Sequence, residues 1–446
     1  MQDKQLKHPV DEMLPLGHLF TYGLQHVLAM YAGAVAVPLI IANALGLSQE
    51  QLIYLINADL FTCGIATLIQ TLGFWNMGIR IPIIQGVTFA AVTPMIIIGQ
   101  THGLTGIYGS VIIAGIVTYL VSPYFSRLIR FFPPVVTGTI ITIIGVTLMP
   151  VAVRWAAGGN PAAKDFASFS YICLALVTLL LVLFFYRYFT GFLSNIAVLL
   201  GLLCGTVIAS LFGMVNFSQV AAANWLGITT PFAFGLPTFD LASIVAMILV
   251  MLVVMTETTG DCIAVGEIID KPVTQEDLTR GLRADGFSTI LGGILNSFPY
   301  TAFAQNVGLV GLTRVKSRFV VAAAGAILVI LGLFPKFAAV VAAIPNPVLG
   351  GAGIAMFGMV AASGIKTLSK VQFDGTHNIM VIAISMGVGM ITLAVPNFYH
   401  QFPSWAQVIL HSGITAGSVA AIILNAVLNG TNKPAEAAIG KQEYIG

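Results

Sequence analysis

Glu257 stands in Met255-Thr256-Glu257-Thr258-Thr259-Gly260, in the middle of a long apolar run. Asp261 follows four residues later, on the same helical face. Asp285, His26 and Asp59 also fall in apolar stretches. An ionisable group at membrane depth costs several kcal/mol, by order of magnitude, so each is a candidate for function. Glu257 reads either as a neutral packing residue or as a proton carrier, since a carboxyl sealed from water favours its neutral form. Asp261 is either structural or faces the end of a pathway. His26 is either a satisfied core histidine or a support for a site, and Asp59 either a packing contact or a ligand. No metal-ligand spacing occurs, and so few ionisable residues assemble no Ser–His–Asp set. The chemistry in reach is hydrogen bonding and proton exchange, with no enzyme activity and no cofactor.

The elements that position these residues must be membrane spans. Hydrophobic residues make up 57% of the 446 and charged residues 8%, against roughly 25% charged in a soluble domain. About 20 apolar residues cross a bilayer. That ruler places spans near 20–44, 52–73, 81–98, 105–123, 134–152, 170–186, 193–213, 241–264, 284–296, 301–313, 319–335, 342–363, 376–395 and 405–429. The fold class is an all-α polytopic membrane protein with about fourteen crossings. With the N-terminus in the cytoplasm, 16 of the 19 Lys and Arg fall inside, among them Lys4, Lys7, Arg80, Arg127, Arg130, Lys271, Arg280, Arg318, Lys433 and Lys441. Only Arg154, Lys164 and Lys336 remain outside, a strong positive-inside bias that puts both termini in the cytoplasm. A net charge of +2 gives no reason to expect nucleic acid. No cleaved signal peptide is evident. Cys63, Cys173, Cys204 and Cys262 read as packing residues, with neither a disulfide framework nor a zinc site. Glu267 to Arg283 reads as a solvated connection.

Pro134-Val135, Gly138, Ile141 and Gly145 recur 213 residues later as Pro347-Val348, Gly351, Ile354 and Gly358. Seven spans separate the copies, which predicts an inverted repeat of the kind found in secondary carriers. The same glycines also suit close helix packing. Two polar interruptions, Gln85-Gly86-Val87-Thr88-Phe89 and Ala304-Gln305-Asn306-Val307-Gly308, occupy equivalent third and tenth spans. Broken backbone at membrane depth is tolerated where it faces protein or a cavity. Such a pair points to a midplane site, able to bind a neutral or weakly acidic ring rich in lactam donors and acceptors.

Gln305-Asn306-x-Gly308, four residues, then Thr313-Arg314 resembles the signature of the nucleobase–ascorbate transporters, whose first position is Gln, Glu or Pro and last is Arg, Lys or Gly. The resemblance extends over nearly the whole chain, including Gln25-His26-Val27-Leu28-Ala29-Met30 and Glu257-Thr258-Thr259-Gly260. It implies two inverted seven-span repeats with short strands in spans three and ten. It also implies a core domain at 1–131 and 239–337, a gate domain at 132–238 and 338–430, and a cytoplasmic tail at 431–446. By the same resemblance Glu257 hydrogen-bonds the nucleobase and Gln305 grips its opposite edge. Phe89 and Ala304 present backbone groups to the ring, and Thr88 shapes the pocket. His26, Asp285 and Asn306 support the site and its coupling. Asp261 lies where the uracil branch tends to carry histidine, so its role is the least defined.

Gln305 resembles the xanthine and urate branch, where uracil carriers have Glu and ascorbate carriers have Pro. An amide offers one donor and one acceptor to an adjacent lactam N–H and C=O, whereas ionised Glu offers acceptors only. The expectation is a proton symporter importing xanthine or urate by alternating access. It would be a homodimer in the bilayer of the inner membrane, with sodium as the alternative coupling ion. A uracil or broader nucleobase carrier, or an anion exchanger of similar fold, are the rivals.

Overall fold

The computed structural model describes residues 8–374 and 377–430. Lys4, Lys7, Lys433, Lys441 and the 431–446 tail lie outside the described residues.

The chain folds into α1 (Leu16–Leu45), α2 (Gln49–Leu72), β1 (Gln85–Val87), α3 (Val92–Val121), α4 (Phe125–Leu128), α5 (Pro134–Ala156) and α6 (Phe169–Tyr188). Next come α7 (Phe192–Asn195), α8 (Ala197–Leu211), α9 (Ser218–Ala222), α10 (Leu241–Ile268), α11 (Gln275–Ile294), β2 (Tyr300–Ala302) and α12 (Ala304–Thr313). The chain closes with α13 (Arg318–Gly332), α14 (Pro335–Ala342), α15 (Asn346–Leu368), α16 (Asn378–Ala394), α17 (Ser404–Leu410) and α18 (Gly413–Leu428). Helix dominates because lipid cannot hydrogen-bond the main chain. Among the described residues seven helices are long and apolar enough to cross a membrane, or eight if α13 and α14, bent by 82°, form one span.

Local signals set the boundaries. Ser48 and Gln51 close a capping box before α2, as Thr274 and Asp277 do before α11. The second box starts α11 at Gln275, inside the stretch read above as a solvated connection. Its first turns are helical although they carry Glu276, Asp277, Arg280 and Arg283, which keeps them below the hydropathy of a span. α3 contains a break at Gly103, where φ is 69° and ψ −172°. The end of the predicted third span and the whole of the fourth are thus two helical limbs meeting at one glycine, while the start of the third span contains β1.

Two sets of helices pack among themselves. α1, α2, α3, α10, α11, α12 and α13 form one, and α5, α6, α8, α15, α16 and α18 the other. Small residues make the closest crossings, as expected where lipid supplies no hydrophobic drive. A Cβ on Gly64 of α2 would stand 2.5 Å from the Gly325 carbonyl of α13, and one on Gly115 of α3 2.8 Å from the Gly286 carbonyl of α11. The echoed glycines divide. Gly145 packs on Ala361, Gly138 on Leu368 and Gly351 on Ala175, whereas a Cβ on Gly358 would meet nothing.

Candidate functional site

At the centre of the first set, β1 and β2 pair antiparallel, with Gln85 opposite Ala302, Gly86 opposite Thr301 and Val87 opposite Tyr300. The Thr88 N–H donates to the Pro299 carbonyl (2.9 Å) and the Phe303 N–H to the Ile84 carbonyl (3.1 Å), which lengthens the ladder at both ends. All six strand residues are buried, and threonine hydroxyls take the N–H groups that pairing leaves over: Thr67 that of Gln85, Thr289 that of Tyr300 and Thr258 that of Ala302. Gly86 is required because the Phe303 ring lies where its Cβ would be. The same ring sits 2.8 Å from the position of a Cβ on Gly33 of α1.

Each strand runs straight into a helical start. Thr88 Oγ1 accepts the Ala90 N–H at 3.1 Å, capping the turn that leads into α3. α12 begins at Ala304 without a side-chain cap. The first N–H groups of a helix have no intrahelical acceptor, and its dipole is positive there. Two such ends therefore converge on the strand pair.

α10 is pinned to β2 by Thr258, whose Oγ1 accepts the Ala302 N–H at 3.2 Å and lies 3.3 Å from Thr301 Oγ1. That tie sets the neighbouring Glu257 beside the end of β2, half-buried where Thr258 is sealed. Ala304 and Gln305 are exposed at the start of α12. Behind them lies a buried polar layer. Asn306 Nδ2 donates to the His26 carbonyl at 2.9 Å and lies 3.1 Å from His26 Nδ1, joining α12 to α1. Asp285 Oδ1 accepts from Gln70 Nε2 at 3.1 Å, and Thr258 and Gln85 also face this carboxylate. Asp261, one turn beyond Glu257, lies within electrostatic reach of both Glu257 and Asp285. Phe89 is half-buried and meets Phe357 of α15 edge-on, with centroids 5.9 Å apart and planes at 82°.

The structure thus gathers Thr88, Phe89, Ala304, Gln305, Asn306, His26, Glu257 and Asp285 around one strand pair, with Asp261 a turn away. Asp59 belongs to a different contact. Its Oδ1 accepts from Ser297 Oγ (3.0 Å) and the Tyr300 hydroxyl (3.1 Å) in a fully buried cluster, the packing alternative raised above. Sequence reasoning missed Phe303, Phe357, Gln70 and the pinning role of Thr258. Only the Thr-Thr doublet after Glu257 carried any signal for these. Among the described residues no group of three His, Cys, Asp or Glu could hold a metal. A carboxyl group, an amide and free main-chain groups beside an aromatic ring suit a planar polar solute.

A model described as the permease family matches residues 17–398. The chain belongs to the nucleobase–ascorbate transporter family. This permease is 47% identical over 413 residues to the xanthine permease of Bacillus subtilis (strain 168), covering 93% of this chain and 94% of that one. It is 48% identical over 427 residues to the uric acid transporter UacT of Escherichia coli (strain K12), covering 94% and 88%. These relatives are carriers and not enzymes. The permease also matches the transmembrane domain of a cyanobacterium bicarbonate transporter, BicA, with a TM-score of 0.63 over 93% of this chain and 100% of that one. At 15% identity that likeness shows the fold alone. The permease is therefore a multi-pass membrane protein of that architecture.

Proposed function

We propose that this permease imports an oxidised purine nucleobase, xanthine or urate, by proton symport through alternating access. The observation that carries the reading is a half-buried Glu257 on α10, the helix packed on β2, together with an exposed Gln305 at the start of α12, the helix that follows β2. Relatives named for xanthine and uric acid support the substrate class. Gln305 would meet an adjacent lactam N–H and C=O with its own acceptor and donor, and Glu257 would bind the other edge. A mismatched edge would leave a buried polar group unpaired at about 1–3 kcal/mol, enough for steep discrimination. Main-chain groups of Phe89 and Ala304 and the Thr88 side chain would complete the pocket. His26, Asn306, Asp285 and Asp261 would hold it and share the coupled proton with Glu257.

In this reading the set containing α1–α3 and α10–α13 is the core, and the set containing α5, α6, α8, α15, α16 and α18 is the gate. The core would move against the gate, with Phe89 and Phe357 meeting at their boundary. The protein would lie in the inner membrane as a homodimer with both termini in the cytoplasm. The fold shared with a bicarbonate transporter admits a carrier of small inorganic anions, but these offer no lactam edge for Gln305 to read.

Uptake of radiolabelled xanthine, urate and uracil, with and without a proton uncoupler, in cells lacking their own carriers tests this. Saturable, uncoupler-sensitive uptake of xanthine or urate, lost in Glu257→Gln and Gln305→Glu, is expected. Transport of uracil alone would overturn the role given to Gln305. Uptake indifferent to the uncoupler would overturn proton coupling.

A further inference from the structure

A cavity of about 520 Å³ lies away from the purine site and is lined by Arg80, Lys271, Arg280 and Arg318, with Asp11 and Asp277. The four cations come from four stretches of chain: the α2–β1 loop, the α10–α11 link, α11, and the first residue of α13. Both carboxylates are already engaged. Asp11 Oδ1 accepts from Arg318 Nε at 2.7 Å. Asp277 Oδ2 accepts from the Thr274 N–H (3.1 Å) and hydroxyl (2.8 Å) in the capping box. Arg318 further donates to the carbonyls of Thr71 (2.8 Å) and Leu72 (3.2 Å). The side chains of Arg80, Lys271 and Arg280 have no hydrogen-bond or ion-pair partner among the described residues, and Arg280 Nε is sealed from solvent. Four positive groups against two carboxylates leave two charges in excess.

The backbone holds this arrangement in place. Arg80 takes the left-handed conformation, φ 60°, which costs a non-glycine residue about 1–3 kcal/mol. Its guanidinium lies over Gly73 (φ 80°), where any Cβ would collide with it. The Arg80 N–H donates to the Gln70 carbonyl at 3.0 Å, and the Gly78 N–H donates to the Arg280 carbonyl at 2.9 Å. The loop carrying Arg80 is thus stitched to the helix carrying Arg280.

We propose that this cavity binds a phosphate group, from the headgroup of an anionic phospholipid or from a free phosphate compound. Guanidinium forks match phosphate oxygens in charge and geometry. Basic pockets between helices on the cytoplasmic side are suited to anionic headgroups, and Ile79 and Phe319 add apolar wall. The site rests on the transport reading only for which membrane face is cytoplasmic. A bound phosphate would also brace the purine site. Gln70 accepts the Ile79 N–H at 3.1 Å and donates to both Asp285 Oδ1 and the Gly281 carbonyl at 3.1 Å. Clamping Arg80 against Arg280 therefore steadies the residues that hold Asp285.

The test is thermal unfolding of the purified full chain in neutral detergent, titrated with phosphatidylglycerol, with phosphatidylcholine as control, and separately with inorganic phosphate. Phosphatidylglycerol should raise the melting temperature, and its apparent affinity should fall about fivefold for each cation removed. The effect should fade as salt rises. Arg80→Gln/Arg280→Gln should lose it, as should Lys271→Gln in part, a surface change that spares the fold. Arg127→Gln/Arg130→Gln, basic residues outside this cavity, should keep it. A rise with inorganic phosphate that competes with the lipid assigns the site to free phosphate; a rise with phosphatidylglycerol alone assigns it to lipid. No rise with either, or an equal rise in Lys271→Gln and the double variant, overturns the site. Purine uptake is not the readout, so either result leaves the transport reading to stand or fall on its own test.

Discussion

Asn306→Ala removes the side chain that ties α12 to α1, and its cost can be worked from two contacts. Asn306 Nδ2 serves the His26 carbonyl at 2.9 Å and lies 3.1 Å from His26 Nδ1, with both residues buried. The carbonyl keeps its own intrahelical donor, so losing the extra bond costs about 1 kcal/mol. The ring nitrogen has no second donor and is left unsatisfied in a sealed place, at about 1–3 kcal/mol. The total is about 2–4 kcal/mol. α12 is ten residues long and begins without a side-chain cap, so Asn306 is the side chain that hydrogen-bonds its first turn to α1. That turn carries Gln305, so part of the cost should appear in substrate affinity as well as in stability. The assay is KM for uptake beside thermal unfolding in detergent. A lower melting temperature with KM raised at least tenfold is expected. Asn306→Ala with wild-type KM and wild-type stability would refute the reasoning, and a loss of stability alone would refute its link to Gln305.

Gly86→Ala should be destabilising by about 1–3 kcal/mol, because the new methyl enters the Phe303 ring and the Phe303 amide is already bonded to Ile84. Gly308→Ala, where a Cβ meets nothing, should leave thermal unfolding unchanged, and equal losses in the two variants would contradict the packing described. Lys316, hydrogen-bonded to Asp270 and adding its charge, holds that carboxyl below the usual range. A depressed carboxyl pKa contributes stability above its unfolded value and loses it only as pH falls through the folded one. Asp270→Asn should therefore leave the pH profile of uptake between about pH 5 and 8 unchanged; a shifted profile would place Asp270 in the coupling.

Glu257 and Gln305 were legible because lipid makes polar side chains expensive, so those present in apolar runs are conspicuous. Residues that act by shape were not. The chain has 28 phenylalanines, and nothing local marks Phe303 or Phe357 among them. Their roles come from a glycine lying under one ring and a neighbouring helix crossing the other. Gln70 looked like any polar residue near a helix end, until folding brought it against Asp285 from another span.

The sequence by itself determined that the chain lives in lipid, where its polar interruptions fall, and which side chains there could bind a solute. These follow from the cost of burying polar groups, which each segment meets alone. Tertiary structure decided that the first interruption pairs as a strand with Tyr300–Ala302 while the second, Ala304 to Gly308, is the first part of helix α12, that Asp59 serves packing, and that α11 begins among charged residues. It also gathered Arg80, Lys271, Arg280 and Arg318 around one cavity. Such convergence depends on which helices cross and at which small residues, a property of the whole packing that no single segment carries.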